Sequence, residues 1–330
     1  MSLTVLPMLA VAHGLLAATT PVGPTVRLGA EVTVFPAGQC GLEDVSDSPA
    51  HAFIDKAGET HLLATDATWR QGLGPSLTQA TKNCTVIYNS SASCDPSMYT
   101  GWEWPYGGPT RLADGTLMVL AHNEHHGWNC SANPASAGCP HPTARQRCCS
   151  ACDVGTFYQN VLHCQVTAIT CMKSVDDGSS WQHCEPPPKH LIAAQPYKYK
   201  PNLPRFGYFR PSNLVHGCGL KTGTLRPADD ACHPEDKMYY ALIHADNGRD
   251  QDHPAQANGQ CVIRTATPTV PGSWRAWGGA DFNISFVDPF RCVRAWLFVC
   301  LTVWLRGGIS TQPPVVTICD SVLYEHECTM

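Results

Sequence analysis

The stretch Leu120-Ala121-His122-Asn123-Glu124-His125-His126-Gly127 places one carboxylate among three imidazoles. In an extended strand alternate residues share a face, so His122, Glu124 and His126 project together while Asn123 and His125 point away. A carboxylate flanked by imidazoles suits general acid–base chemistry or metal binding. The plain alternative is a polar strand end whose side chains satisfy loop backbone. Zinc is the weaker reading, because two aligned histidines plus a glutamate need a geometry that a sheet rarely supplies by itself. No metal and no cofactor is therefore expected.

Other candidates surround this segment in sequence. Gly101-Trp102-Glu103-Trp104-Pro105-Tyr106 sets a carboxylate among aromatics, a mix suited to sugars, since ring faces stack on pyranose C–H faces and carboxylates bind hydroxyls or act on the glycosidic bond. A buried aromatic anchor is the competing reading of the same residues. Asp47 precedes Ser48-Pro49 and leads toward the first strand, where it could lie at a site mouth or simply serve turn chemistry. Arg210 and Asn213, in Gly207-Tyr208-Phe209-Arg210-Pro211-Ser212-Asn213, make a candidate anion or hydroxyl clamp. Asp246 follows a strand-like run, and Arg264 and Arg275 could add positive charge, although Arg275 between Trp274 and Trp277 could equally be a stacked structural residue.

The elements that must position these groups are predicted to be short antiparallel strands. Residues 52–54 and 61–65 flank the turn Asp55-Lys56-Ala57-Gly58, and residues 109–112 and 116–120 flank Asp114-Gly115. A third hairpin turns through Ser174-Val175-Asp176-Asp177-Gly178-Ser179-Ser180-Trp181, where Asp-Gly suits positive φ, Ser174 and Asp176 can brace the turn, and Trp181 supplies an apolar wedge. Further strands are expected at 237–243 and 260–265. Two cysteine-bearing inserts, 128–152 and 217–236, interrupt the rhythm; Cys149-Ser150-Ala151-Cys152 has zinc or redox spacing but reads better as a disulfide-stapled loop. An apolar run within 291–306 is too short to span a bilayer, and 291–330 reads as a divergent tail without the period of the preceding hairpins.

Composition narrows the function classes. The chain has 330 residues, 43% hydrophobic and only 15% charged, with a net charge of −5, so it can build a sizeable core and carries no basic stripe for nucleic acid. Its 27 glycines and 27 prolines fit many short strands joined by turns. Eighteen cysteines argue for an oxidising compartment, as does the apolar leader-like segment within 1–18. Four sequons, at Asn83, Asn89, Asn129 and Asn283, agree with a secretory route. No membrane span is expected, and oligomeric state is left open.

Taken in order, the motifs Asp47-x-Pro49, Trp102-Glu103-Trp104, His122-Asn123-Glu124-x-His126-Gly127, the 174–181 turn, Gly207-Tyr208-Phe209-x-Pro211-Ser212-Asn213 and Ser273-Trp274-Arg275-Ala276-Trp277 resemble those of secreted sialidase-like and five-bladed glycosidase-like β-propellers. Ser-x-Asp-x-Gly-x-Ser-Trp at 174–181 is similar to their Asp-box. The resemblance covers about 47–290 and implies an all-β propeller of about five blades with a site at its narrow centre. It implies a carbohydrate or glycoconjugate partner and hydrolysis by two carboxylates: Asp47 and Glu124 as the acid/base pair, with Glu103 and Asp246 supporting. His122, His126, Trp102, Arg210, Asn213 and Arg264 would bind substrate. Departures are visible: no Arg-Ile-Pro stretch precedes the first hairpin, and Arg210, Arg264 and Arg275 form at most a partial arginine cluster. The alternative function is a non-catalytic carbohydrate-binding or extracellular-matrix propeller.

Overall fold

The computed structural model describes residues 28–41, 44, 46–91, 93, 95–126, 165–199, 205–217, 237–246, 258–291, 296–304 and 315–323, the last two segments as backbone only. The leader-like segment, the insert at 128–152, nearly all of the insert at 217–236, Gly127 and Asn129 lie outside the described residues. The chain divides into Met1–Thr33 and Val34–Met330, and everything below concerns the second unit.

The described fold is all-β, with helix limited to short 3-10 turns. The first sheet is a meander of β1 (His51–Ile54), β2 (Thr60–Leu63), β3 (Thr68–Gly74) and β4 (Thr81–Asn89), in that order. The second sheet contains β5 (Trp102–Trp104), β6 (Thr110–Arg111), β7 (Leu117–His126), β8 (Gln165–Ser174), β9 (Gln182–His183), β10 (Leu191–Ala193), β11 (Phe206–Phe209), β12 (Val215–His216), β13 (Tyr239–Asp246), β14 (Gly259–Thr265), β15 (Arg275–Ala276) and β16 (Ile284–Ser285). Its main path runs β16-β15-β14-β13-β11-β8-β7-β5 and does not close on itself among the described residues. A separate hairpin pairs β17 (Trp296–Trp304) with β18 (Val315–Leu323).

One pattern recurs within the second sheet. β5 and β6 pair with opposite ends of β7, and β11 and β12 pair with opposite ends of β13, so a broken strand precedes a long one twice. The two units meet where β11 runs parallel to β8, with Gly207 opposite Thr167. Gly207 has φ 131°, and a Cβ there would strike the Thr167 carbonyl, so this junction requires glycine.

β7 is buried on both faces, and its alternation sorts two cores. Leu117, Val119 and Ala121 pack with Leu63, Trp69, Ile87, Met172 and Trp181, whereas Met118 and Leu120 join Ile169, Tyr208, Ile243, Ile263 and Trp274. Each fully buried large apolar side chain contributes about 1.5–3 kcal/mol.

The 174–181 turn is closed by its own side chains. Asp176 Oδ1 accepts from Ser174 Oγ at 2.8 Å and from the Ser180 amide at 2.9 Å, and Asp176 Oδ2 accepts from Ser180 Oγ at 2.6 Å. Trp181 is buried and its amide donates to the Ile87 carbonyl on β4 at 2.9 Å. Disulfides join Cys171 to Cys184 and Cys40 to Cys84. No helix among the described residues is long and apolar enough to cross a membrane.

Candidate functional site

The face that buries Met118 and Leu120 ends in His122, Glu124 and His126. His122 Nε2 donates to Glu124 Oε1 and His126 Nε2 to Glu124 Oε2, both at 2.6 Å. The Arg210 amide donates to His122 Nδ1 at 3.4 Å, which leaves the proton of a neutral ring on Nε2, facing Glu124. Burial works against the Glu124 charge, but the two imidazole donors outweigh it and hold its carboxyl well below the usual carboxylate range.

Aromatic rings wall this carboxylate. Trp102 lies 4.8 Å from the His126 ring, centroid to centroid, while Trp104, Tyr106 and Phe209 lie 5.9, 5.1 and 5.4 Å from His122. The register explains the grouping: Trp102 is opposite Glu124 and Trp104 opposite His122, so all four share one face. A Cβ on Gly101 would collide with the Glu124 carbonyl, so the chain entering β5 can lie against β7 only because that residue is glycine.

Asp47 is exposed, its amide donating to the Thr65 carbonyl at 3.1 Å. Its carboxyl is pushed above the usual range, first by desolvation and then by the charges of Asp66 and Glu124, with His122 opposing. Asp47 and Glu124 thus lie close enough to sense each other while their environments move them in opposite directions. Arg210 is exposed, and burial first of all raises the Tyr106 hydroxyl above its ordinary value, with the Arg210 charge opposing and the charges of Glu124 and Asp47 adding to it. Asp47, Glu124, His122, His126, Trp102 and Arg210 are therefore gathered in one region.

Three expected members are not, and a fourth, Asn213, borders the region with its oxygen already engaged. Glu103 is opposite Asn123 and faces the other side of the sheet, fully buried. There it accepts from Thr170 Oγ1 at 2.7 Å, His183 Nε2 at 2.9 Å and the hydroxyl of Tyr88, with His190 Nε2 at 3.7 Å. Asp246 shares the cross-strand row Glu124–Thr167–Gly207–Asp246, three strand spacings or about 14 Å along the sheet, and pairs with Arg205 at 3.4 Å. Arg264 on β14 stacks on Phe282 at 4.2 Å and meets Asp281 at 3.5 Å. Asn213 spends its Oδ1 on the Gly108 amide at 2.7 Å, so it shapes the turn beside Tyr106 instead of offering that oxygen to a ligand.

Sequence reasoning missed Asp66, Tyr88, His183 and His190, and placed Tyr106 in the aromatic stretch 101–106 without giving it a role of its own. Asp66 accepts from Trp104 Nε1 at 2.9 Å, and nothing in its local sequence marks that role. Metal-ligating types converge twice among the described residues, at Glu103–His183–His190 and at Asp55–Glu59–His61, each set within 4.8 Å. In the first set Glu103 and His183 bond each other and His190 Nε2 bonds the Tyr99 carbonyl while His190 Nδ1 has no partner, and in the second Asp55 and both ring nitrogens of His61 are engaged; neither set is assigned a metal.

No protein-family model matches the chain, and no curated protein matches it. Among solved structures it is similar to a protein of unknown function from Dyadobacter fermentans DSM 18053, with a TM-score of 0.38 and 11% identity. That match covers 74% of this chain, and the chain spans 56% of the bacterial one.

Proposed function

We propose that the Glu124 region is a carbohydrate site of a secreted, propeller-type glycoside hydrolase. The observation that carries the reading is geometric: Glu124 is clamped between His122 and His126 on the strand face that also carries Trp102 and Trp104, with Tyr106 beside His122, and the raised carboxyl of Asp47 and depressed carboxyl of Glu124 agree with it. Two titratable groups pushed apart in this way are suited to the roles of proton donor and anionic partner. Asp47 would protonate the departing glycosidic oxygen. Glu124, held as an anion by His122 and His126, would stabilise positive charge at the sugar ring or activate the attacking group. Trp102 and Tyr106 offer ring faces for a pyranose, and Arg210 a charged donor at the rim.

The propeller reading is supported by the meander of the first sheet, the recurring broken-strand unit, and the face-to-face apolar layers on either side of β7. The Asp-box reading is supported by the bracing of Asp176. Secretion is supported by the two disulfides and the leader-like opening sequence.

One observation favours the second reading, non-catalytic carbohydrate binding: each Glu124 oxygen already accepts an imidazole N–H at 2.6 Å. A panel of chromogenic glycosides separates the two. Hydrolysis by the wild-type protein, lost by about 10²–10⁴-fold in Glu124→Gln, is the expected result. Turnover equal in both proteins would remove Glu124 from the chemistry, and binding of glycans without turnover would establish the second reading.

A further inference from the structure

The two larger described sheets present four path ends, β1 and β4 in the first and β5 and β16 in the second. An open strand edge displays unpaired backbone groups and invites pairing with another chain. Two of the four ends are closed by side chains from neighbouring segments. At β1, Arg111 donates to the Ile54 carbonyl at 3.3 Å, and just beyond it Asp177 accepts from the Lys56 amide at 2.7 Å. At β5, Trp69 Nε1 donates to the Glu103 carbonyl at 2.8 Å and Ser90 Oγ accepts from the Glu103 amide at 3.0 Å.

The other two ends carry the sequons. Asn83-Cys84-Thr85 lies within β4, and Asn89-Ser90-Ser91 begins at its last residue. Asn283-Ile284-Ser285 runs into β16. All three asparagines are exposed. Asn83 Oδ1 accepts from the Thr85 amide at 2.9 Å and Asn89 Oδ1 from Thr68 Oγ1 at 3.0 Å, and the Nδ2 of each has no hydrogen-bond acceptor among the described residues. Exposed apolar side chains accompany both edges: Val86, between the two β4 sequons, is 47% accessible, and Ile284 is 49% accessible. Pro36 and Cys40 reach β4 toward Lys82 and Cys84, and on the side of its later half away from β3 the backbone partner among the described residues is the Trp181 amide, at Ile87.

We propose that Asn83, Asn89 and Asn283 carry N-linked glycans that cap these two edges and prevent edge-to-edge pairing. The inference rests on the secretory reading above. In the modification, an asparagine Nδ2 displaces polyprenyl diphosphate from C1 of a diphosphate-linked oligosaccharide. The N–C1 bond forms, the C1–O bond breaks, the amide nitrogen gives up one proton and the diphosphate leaves with the bonding pair.

The test expresses the full chain in secreting eukaryotic cells in two arms, one with its own opening sequence and one behind an added heterologous leader. Appearance in the medium from the first arm tests secretion alone. Peptide mapping of the second arm, before and after enzymatic removal of N-glycans, is expected to show Asn-to-Asp conversion at 83, 89 and 283. The triple variant Asn83→Gln/Asn89→Gln/Asn283→Gln is expected to lose its monomer peak to larger species in size-exclusion chromatography, whereas Asn283→Gln alone gives a partial loss. Unmodified asparagines in the secreted protein of the second arm would overturn the proposal. A triple variant that stays as monomeric as the glycosylated protein would overturn the capping role.

Discussion

Glu103 and Glu124 belong to strands that hydrogen-bond to each other yet open onto opposite faces, because Glu103 pairs with Asn123 and Glu124 with Trp102. One carboxylate is walled into a Tyr88–Thr170–His183 cage, and the other opens toward Asp47. Their substitutions should therefore separate stability from function. Glu103→Ala removes the acceptor of the buried Thr170 hydroxyl and of the half-buried Tyr88 and His183, which retain only each other at 3.1 Å, and is expected to cost about 3–5 kcal/mol, against about 1–3 kcal/mol for Glu103→Gln, which keeps one acceptor oxygen. Urea midpoints measure both; a Glu103→Ala midpoint equal to wild type would contradict the buried cage.

Stability should fall as the pH drops below neutrality. Burial, aided by the charge of His126, holds His125 down at about 4, and burial holds His190 at about 4 against the pull of Glu103. The ordinary value is 6.5, so between about 6.5 and 4 the unfolded chain takes up protons that the folded chain refuses. Their contribution is fully present above that window and declines as the pH falls through it, by a total on the order of a few kcal/mol. The depressed carboxyls of Glu103 and Glu124 add losses at still lower pH. Denaturant titrations across this range test the slope, and stability that rises on acidification from 6.5 to 4 is the opposite outcome.

Reduction should loosen the 174–181 turn. Cys171 and Cys184 are 13 residues apart and enclose it, and a loop of that size is worth about 3 kcal/mol when cross-linked. A double Cys171→Ala/Cys184→Ala variant is expected to melt several degrees lower, with faster amide exchange at residues 174–181. Unchanged melting and exchange would mean that the Asp176 and Trp181 contacts suffice without the bond.

Gly207→Ala should be among the most damaging single-methyl changes in the chain. It forces a side chain into the Thr167 backbone at a φ of 131° and breaks the parallel β8–β11 contact. Because that contact places Phe209 and the Arg210 amide beside His122, ligand binding should suffer along with stability. A folded Gly207→Ala protein with wild-type melting would contradict the junction described.

Much of this was legible in the residues themselves. The hairpins about Asp55-Gly58 and Asp114-Gly115 turn where their glycines require positive φ, and the alternation of His122, Glu124 and His126 was readable from strand period alone. Long-range pairing was not readable. Nothing local to Glu103 says that its partner is Asn123, and a one-residue change of register would have put it beside His122. His183 lies in the short strand-like segment after the turn and His190 in the proline-rich passage beyond it, and their convergence on Glu103 depends on the pairing of β9 and β10 with β8, which no motif reveals. The sequence places Asp246 just after a strand, whereas β13 runs on to include it, and its distance from Glu124 follows from two intervening strands that no motif reveals.

The central claim is that Asp47 and Glu124 form a functional pair with divided protonation. Once a hydrolysed glycoside has been identified, the most direct measurement is the pH dependence of kcat/KM for wild type and Asp47→Asn. Wild-type activity should decline on the alkaline side as Asp47 loses its proton, at a pH above the ordinary carboxylate value. Asp47→Asn should be slower and should lack that alkaline limb, while keeping the wild-type fold and midpoint. An Asp47→Asn profile with the wild-type alkaline limb would contradict the assignment of Asp47 as proton donor and, with it, the pairing of the two carboxyls.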